Sequence, residues 1–432
     1  MARMMTLAII AIVTTLSVSG WAQDNQDLAT ENAQLKGRIE KLEEQVQGLT
    51  TGAAGQGQSS ETDVTKNPIW SSLDIQFYGF LKADAAYDNS RTTSGNFVLF
   101  VDNDQATANS HDDEFNLTAN QTQLGFLING PKDSVMQTSG RVEVDFYGNF
   151  AAENQAKMQL RHGYIQMAWP EKDLTLLAGQ TWDVISPLNP STINYTVLWD
   201  SGNIGYRRPQ IRLTKDYQVN DEVSLKFTGA LSRTIGRLDG VGSESGEDSG
   251  LPTIQGRVGV TFPWLVAGDT TIGLSGHRGK EEYDTTTTKS VDHDTWSVNV
   301  DLVQPIRSWV TLKAEAFTGE NLSSYLGGIG QGVDDGARNK EISSRGGWAA
   351  ATFGPWDDWS FTAGIGIDDV DRDDVRTDSR GRTLNRAVFA NAVRTLSEQA
   401  SVGFEISQWR TDYRGSGDAD NIRLQTALKY KF

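Results

Sequence analysis

Residues 73–88 read LDIQFYGFLKADAAYD, and this stretch decides the fold because its apolar and polar residues alternate. One face carries the apolar side chains, which are Leu73, Ile75, Phe77, Leu81, Ala83 and Ala85. The other face carries the polar ones, which are Asp74, Gln76, Lys82 and Asp84. A period of two residues is typical of a β-strand with one face in an apolar and one in a polar environment.

The same alternation recurs along the chain and predicts sixteen strands. They are expected at 73–88, 117–129, 138–149, 158–169, 173–182, 206–215, 223–234, 252–262, 269–279, 294–303, 309–319, 344–353, 359–368, 384–394, 400–410 and 420–432. So many two-faced strands are more typical of a transmembrane antiparallel β-barrel than of a soluble sandwich. The sequence therefore predicts an all-β fold with a barrel over residues 72–432.

The connections between these strands alternate between short and long, as in outer-membrane barrels. An even number of strands places both chain ends on the side of the short turns. Tryptophans fall near both ends of the predicted strands, which predicts two aromatic girdles at the membrane interfaces. The short-turn side carries Trp70, Trp169, Trp264, Trp309, Trp356 and Trp359, and the long-loop side carries Trp182, Trp296, Trp348 and Trp409. The last strand ends in Phe432, an aromatic ending like that of bacterial outer-membrane barrels.

Composition supports a membrane barrel and excludes other classes. The 432 residues carry a formal net charge of −17, which argues against a nucleic-acid partner. Cysteine is absent, so no disulfide framework and no cysteine-based metal or redox site is expected. After residue 20 no run approaches the roughly 20 apolar residues of a membrane helix.

The first 71 residues divide into three predicted segments. Residues 1–22 have the basic start, short apolar run and small residues of a secretory signal peptide, with cleavage expected after Ala22. Residues 23–50 carry a heptad with Leu28, Leu35, Leu42 and Leu49 at one core position and Asn25, Asn32, Ile39 and Val46 at the other. This pattern favours a parallel α-helical coiled coil but does not fix the number of helices in it. A single amphipathic helix is the alternative. Residues 51–71 are predicted to be a flexible linker.

Charged residues on the polar face of the strands are candidates for lining a water-filled lumen, because sixteen strands leave an aqueous channel. The candidates within strands are Arg141, Glu143, Asp145, Arg208, Arg212, Lys226 and Arg257. Inward bases slightly outnumber inward acids in an acidic chain, so the lumen wall is predicted to favour anions.

The connection DVISPLNPSTINYTVLWDSGNIG, residues 183–205, contains apolar and aromatic residues that are unusual in a solvated loop. A loop folded into the barrel explains them, and it would narrow the channel. That position would set Asp183 and Asp200 opposite Arg208 and Arg212, creating a transverse field. The alternative is a loop that packs on the barrel rim or on a neighbouring subunit.

Several stretches together resemble the DcaP-like trimeric porins of Gram-negative outer membranes. They are the coiled coil before the barrel, IQFYGFLKADAAYD (75–88), RHGYIQMAW (161–169), LLAGQTWD (176–183) and the terminal Tyr-x-Phe (430–432). The resemblance implies a homotrimer of sixteen-stranded barrels. The even strand count predicts that the coiled coil lies in the periplasm, and outer-membrane lipid and lipopolysaccharide are the expected surroundings of the barrel. The resemblance also implies a pore constricted by loop 183–205 near Arg208 and Arg212. The expected function is passive diffusion of small hydrophilic solutes, often anions such as dicarboxylates, without a cofactor.

Two other classes of function remain as alternatives. A tether would use the coiled coil to bind the cell wall or a periplasmic partner. A barrel enzyme would need a serine beside a histidine, and the chain has four histidines, at 111, 162, 277 and 293. The glycine-rich stretch SYLGGIGQG (324–332) follows no strand-to-helix unit, so a nucleotide site is not expected. The acidic run 368–378 is better explained as a solvated loop than as a Ca²⁺ site.

Overall fold

A computed structural model describes residues 74–93, 95–103, 110–131, 135–148, 156–235, 249–265, 268–286, 289–334, 340–377 and 381–432. For residues 283–286 and 289 it describes only the backbone. The chain divides into two units, residues 1–68 and 69–432, and the described residues belong to the second. The predicted signal peptide (1–22), coiled coil (23–50) and linker (51–71) lie outside the described residues.

The regular secondary structure of the described chain is almost entirely β-strand. The strands are β1 (Asp74–Asp88), β2 (Glu114–Thr118), β3 (Gln123–Asn129), β4 (Gln137–Asp145), β5 (Gln159–Trp169), β6 (Leu174–Trp182), β7 (Arg207–Gln218), β8 (Ser224–Ser232), β9 (Thr253–Leu265), β10 (Gly268–Thr286), β11 (Lys289–Arg307), β12 (Val310–Glu320), β13 (Val333–Asp334), β14 (Lys340–Glu341), β15 (Ser343–Trp356), β16 (Trp359–Val370), β17 (Arg382–Thr395), β18 (Ala400–Tyr413) and β19 (Gly417–Lys431). Single 3₁₀ turns lie at Pro170–Lys172, Ser323–Tyr325 and Gly328–Gly330. No described helix is long and apolar enough to cross a membrane.

Neighbouring strands pair antiparallel, and the sheet closes on itself because β1 pairs with β19 on one side and with β2 and β3 on the other. Strands β2 and β3 together occupy one position in the wall, and the short hairpin of β13 and β14 lies outside it. The predicted sixteen-stranded antiparallel barrel is confirmed. The two barrel ends are named here from the chain: the terminal end holds Asp74 and Lys431, and the loop end holds the long connections.

Three predicted segments differ from the structure, and one of them is the long connection expected near 411–419, which is a turn of three residues between β18 and β19. The strand expected at 117–129 is interrupted by a turn in which the Thr122 amide donates to the Ala119 carbonyl (3.0 Å). The long loop expected at 280–293 is instead the continuation of β10 and β11, which pair from Thr271↔Val303 out to Thr286↔Lys289. Cross-strand ion pairs extend this hairpin, with Arg278–Asp294 and Lys280–Asp292 both at 3.1 Å.

The barrel is apolar outside and polar inside. On β1, Phe77 and Leu81 are 54% and 53% exposed, whereas Lys82 and Asp84 point inward and are 7% and 3% exposed. An exposed apolar belt around a polar interior is the pattern of a transmembrane barrel.

The two predicted tryptophan girdles are correct only in part. At the terminal end, Trp264, Trp309 and Trp356 are exposed. At the loop end, Trp348 and Trp409 point inward and are buried against loops that fold into the barrel. Their position on the inward face of β15 and β18 makes them part of an internal core rather than of a membrane interface.

Candidate site in the barrel interior

The loop between β6 and β7, residues 183–206 and here called the constriction loop, lies inside the barrel. Wall side chains accept hydrogen bonds from its backbone amides. Val184 N donates to Gln255 Oε1 (2.7 Å), and Leu188 N donates to Glu315 Oε1 (2.8 Å). These acceptors belong to β9 and β12, so the loop follows the inner wall.

The far side of the constriction loop is held in the same way. Glu405 of β18 accepts from the amides of Ile193 (2.6 Å) and Asn194 (3.2 Å). Lys82 of β1 donates to the Ile193 carbonyl (2.9 Å). The loop therefore reaches from β9 to β1 across the barrel, where it narrows the cross-section.

Apolar side chains of the constriction loop form a core with the connection between β1 and β2, residues 89–113. Trp199 and Tyr195 pack with Phe97 and Leu99 of that connection. The ring centres of Tyr195 and Tyr147 lie 4.2 Å apart, with the two rings tilted against each other. This packing accounts for the apolar content of the loop that is visible in the sequence.

Asp183 and Arg208 are in direct contact rather than facing each other across open space. Arg208 Nε lies 2.7 Å from Asp183 Oδ1, and Asp183 also accepts from the amide of Tyr206 (2.9 Å). The guanidinium lies 3.8 Å from the centre of the Tyr325 ring and donates to the Ser324 carbonyl (3.1 Å). The pair closes the base of the constriction loop, because Asp183 is the first residue of the loop and Arg208 lies just after its last residue.

Asp200 lies elsewhere, so the expected opposition of Asp200 to Arg208 and Arg212 is wrong. Its carboxylate accepts from the Gly330 amide (2.9 Å), and its carbonyl accepts from Asn385 of β17 (2.7 Å). Burial raises the pKa of Asp200 to about 7, against the opposing effects of nearby Arg382 and of the Gly330 amide. Loop contacts of this kind depend on distant segments, which strand alternation does not reveal.

Arg141, Glu143 and Asp145 of β4 form a ladder with Arg161 of β5. Arg141 Nη2 lies 2.6 Å from Glu143, and Arg161 bridges Glu143 (2.8 Å) and Asp145 (2.6 Å). The β4–β5 register shifts at this point, which is a β-bulge that turns both Arg161 and its neighbour His162 inward. The ladder is charge-compensated, and Arg141 is its most accessible member.

The remaining predicted residues are also paired, with one exception. Arg257 forms a two-point contact with Asp301 (2.9 and 2.6 Å), and Lys226 lies 3.3 Å from exposed Asp216. Arg212 is half-buried and donates to Gln210 Oε1 (2.9 Å) and to the Trp182 carbonyl. Within the described part of the chain, Arg212 forms no ion pair with a carboxylate, and Asp183 acts on its charge only from a greater distance.

Two further cations that the strand alternation predicts to face inward share this property. Lys313 on β12 is half-buried and forms no ion pair with any carboxylate in the described part of the chain. Lys429 on β19 is also half-buried, and its Nζ lies 3.7 Å from the centre of the Phe80 ring. Strand parity alone identifies both as inward-facing. What it does not show is which of the inward bases are neutralised.

Among the described residues, no group of three or more His, Asp or Glu side chains is arranged to hold a metal ion. His277 Nδ1 lies 2.8 Å from Ser297 Oγ, but its Nε2 meets the Thr295 hydroxyl (3.0 Å). The ring is buried and stacks 4.0 Å from Tyr325, so this pair belongs to the packed interior.

Comparison with known proteins gives a family and a set of similar folds. The family described as "DcaP outer membrane protein" matches residues 14–230, half of the chain. The outer membrane channel DcaP of Acinetobacter baumannii is similar with a TM-score of 0.67 at 20% identity, over 84% of this chain and 98% of that one. An anion-selective porin from Comamonas acidovorans is similar with a TM-score of 0.54 at 11% identity, over 83% and 100%. No curated protein sequence matches the chain.

Proposed function

The chain belongs to the DcaP outer membrane protein family, and we propose that this outer-membrane channel favours small anionic solutes such as dicarboxylates. The observation that carries the proposal is the set of half-buried inward cations without a described carboxylate partner, namely Arg212, Lys313 and Lys429. Positive side chains lining a narrow passage lower the energy of a passing anion and raise that of a cation.

In this proposal the inward acids do not cancel the preference, because they accept backbone hydrogen bonds or form ion pairs with arginines. Glu315 and Glu405 are 5% exposed and accept backbone amides of the constriction loop. Glu143 and Asp301 are bound by arginines. In this proposal the accessible cations, rather than these buried acids, are the charged groups that a solute meets first.

The constriction loop sets the size of the passage in this proposal. Its amides are fixed at both ends of its path, by Gln255 on β9 and by Glu405 on β18. Solutes pass by diffusion through the space that the loop leaves, so no bond is made or broken. The proposal assigns no catalytic residue and no cofactor.

A homotrimer, with the terminal end of the barrel facing the periplasm, completes the proposal. The heptad of residues 23–50 supports self-association, and the family resemblance noted above supports three copies. The test is the molar mass of the detergent-purified complex, corrected for bound detergent. A mass of three chains supports the proposal, and a monomer that still conducts overturns the trimer while leaving the channel.

Solute preference is tested with liposomes that contain the purified protein. Swelling rates are compared for a four-carbon dicarboxylate, an uncharged polyol of similar size and a diamine. Faster entry of the dicarboxylate than of the other two supports the proposal. Equal rates, or faster entry of the diamine, would overturn the anion preference.

A further inference from the structure

The glycine-rich stretch 324–332 occupies a specific place in the fold. It belongs to the connection between β12 and β15, of which residues 321–334 are here called the outer segment. Its residues 328–330 meet both the constriction loop and β16. The Gly330 amide donates to Asp200 Oδ1 (2.9 Å), and the Ile329 amide donates to Asp368 Oδ2 (3.4 Å).

The backbone of residues 328–330 is shaped to receive negative charge. Gly328, Ile329 and Gly330 have φ values of 65°, 52° and 66°, all in the left-handed region. Successive amides in such a turn point toward one side and form a concave anion site. Here that concavity, which we call the nest, is occupied by the carboxylates of Asp200 and Asp368.

The contact stores backbone strain on both sides. Ile329 is β-branched, and a positive φ is an outlier for such a residue. Across the contact, Val197, Leu198 and Asp200 also have positive φ values, of 47°, 67° and 57°. Strain of this kind persists only where surrounding contacts hold it, and it is common in switch regions.

Contacts independent of the nest hold the start of the outer segment and residues 340–341, which lie after it in the chain. Asn321 donates to Glu281 of β10 (2.9 Å), and His293 of β11 lies 3.1 Å from Glu341. Lys340 is paired with Asp374 beyond β16. The centre of the segment is held by the nest, by the backbone of Arg382, which exchanges hydrogen bonds with Gln331 (2.8 and 3.0 Å), and by packing of buried Ile329. Of these contacts, the two carboxylates of the nest are the ones that a proton can change.

The charged groups around the two carboxylates come from few elements. Asp368 faces inward on β16, is fully buried, and has one carboxylate oxygen without a hydrogen bond. Asp369 lies on the opposite face of β16 and pairs with Arg345 (2.8 Å). Arg382 at the start of β17 donates to the Ile329 carbonyl (2.7 Å). Residues 328–330 contribute only backbone groups.

We propose that Asp200, Asp368 and the nest form a proton-dependent latch, which holds the outer segment over the constriction loop and closes the channel in acid. The inference rests on the proposed channel function. Two neighbouring buried carboxylates repel each other when both are ionised, and a proton on one of them removes the repulsion. Release then lets the centre of the outer segment move away from the constriction loop.

The direction follows from proton linkage. The pKa of Asp200 in the latched form is raised to about 7 by burial, whereas a solvated aspartate has a pKa of about 3.9. The latched form therefore binds protons more tightly than the released form, and its advantage is lost as the pH rises through about 7. Between about pH 7 and pH 4, one proton changes the closed-to-open ratio by up to about tenfold per pH unit.

The test is the open probability of the full-length protein in planar bilayers at pH 5, 6, 7 and 8.5. The wild type is expected to close progressively below pH 7. Asp200→Asn keeps an oxygen acceptor for the Gly330 amide but carries no charge, so it is expected to stay mostly closed even at pH 8.5. The matched control is Asp369→Asn, which alters the neighbouring position on the outward face and is expected to keep the wild-type profile.

A second variant keeps the test decisive if Asp200→Asn does not fold. Asp368→Asn keeps an oxygen acceptor for the Ile329 amide and removes the repulsion between the two carboxylates, so the closing transition is expected to move to higher pH. Wild-type currents that do not depend on pH, or an Asp200→Asn variant that follows the wild-type profile, would overturn the latch. A transition that stays in place or moves to lower pH in Asp368→Asn would also overturn it. Absence of any current at every pH would instead contradict the channel function itself.

Discussion

Arg208 Nε and Asp183 Oδ1 lie 2.7 Å apart, and both side chains are 1% exposed. The pair joins the first residue of the constriction loop to the strand that follows the loop. Arg208 also reaches the outer segment through the Ser324 carbonyl (3.1 Å). The sequence suggests Arg208 as a residue that selects solutes. In the structure it is instead buried, and it holds the constriction loop to β7 and to the outer segment; this arrangement is called the clamp below.

Arg208→Gln is therefore expected to act on stability more than on selectivity. Removing one partner of a buried ion pair leaves an uncompensated charge, at a cost of about 3–5 kcal/mol. The measurement is the denaturation midpoint of the folded barrel, which is monitored through the heat-dependent shift of the barrel in gel mobility. The double variant Asp183→Asn/Arg208→Gln is expected to recover much of the loss, and a double variant as unstable as the single one would contradict the clamp.

Selectivity is expected to depend on Arg212 and Lys313. Replacing both with Gln should shift the reversal potential away from chloride preference, because neither has a described carboxylate partner. Measurements belong at or below 0.1 M salt, where the Debye length is about 10 Å or more. Lys215→Gln is the matched control, since Lys215 lies on the opposite face of β7 and pairs with Asp173 (3.6 Å). An unchanged reversal potential in the double variant would argue against these cations.

Glu405→Ala is expected to loosen the constriction loop. Glu405 holds two successive loop amides, and a hydrogen bond to a charged group contributes about 1.5–3 kcal/mol. The expected result is larger and noisier single-channel conductance, together with faster proteolysis within residues 183–206. Glu398→Ala, in the exposed turn between β17 and β18, is the control. Wild-type conductance and wild-type protease resistance in Glu405→Ala would contradict the anchoring role.

Deleting Phe432 is expected to weaken barrel closure. Its ring lies 5.1 Å from that of Phe77, and its backbone exchanges two 3.2 Å hydrogen bonds with Gly79 of β1. Losing them frays the seam between the first and last strands, which should lower the yield of heat-modifiable barrel in the outer membrane. Phe361→Ala, which removes an outward ring away from the seam, should have a smaller effect. Equal yields from the deletion and the wild type would contradict the seam's role.

The wall of the barrel was predictable because a side-chain period of two is a local property. Residues 73–88 show it directly, and β1 spans Asp74–Asp88. The predictions were wrong where local signals mislead: the turn at Ala119–Thr122 breaks a strand, and paired charges extend the β10–β11 hairpin.

The interior was less predictable because its contacts join segments far apart in the sequence. The apolar run FVLFV (97–101) sits in a long connection between predicted strands, and Val98 and Val101 are fully buried there. That run was a visible signal for a second loop inside the barrel. The contact between Asp200 and Gly330, in contrast, has no counterpart in strand parity.

The central claim is a channel that favours anions, and current through planar bilayers in a salt gradient tests it most directly. Each insertion of purified wild-type protein at pH 8.5 is predicted to give three equal conductance steps. The reversal potential is predicted to indicate a preference for chloride over the cation. A reversal potential on the cation side would contradict the anion preference. Folded, heat-modifiable barrels that carry no current at any pH would contradict the channel itself.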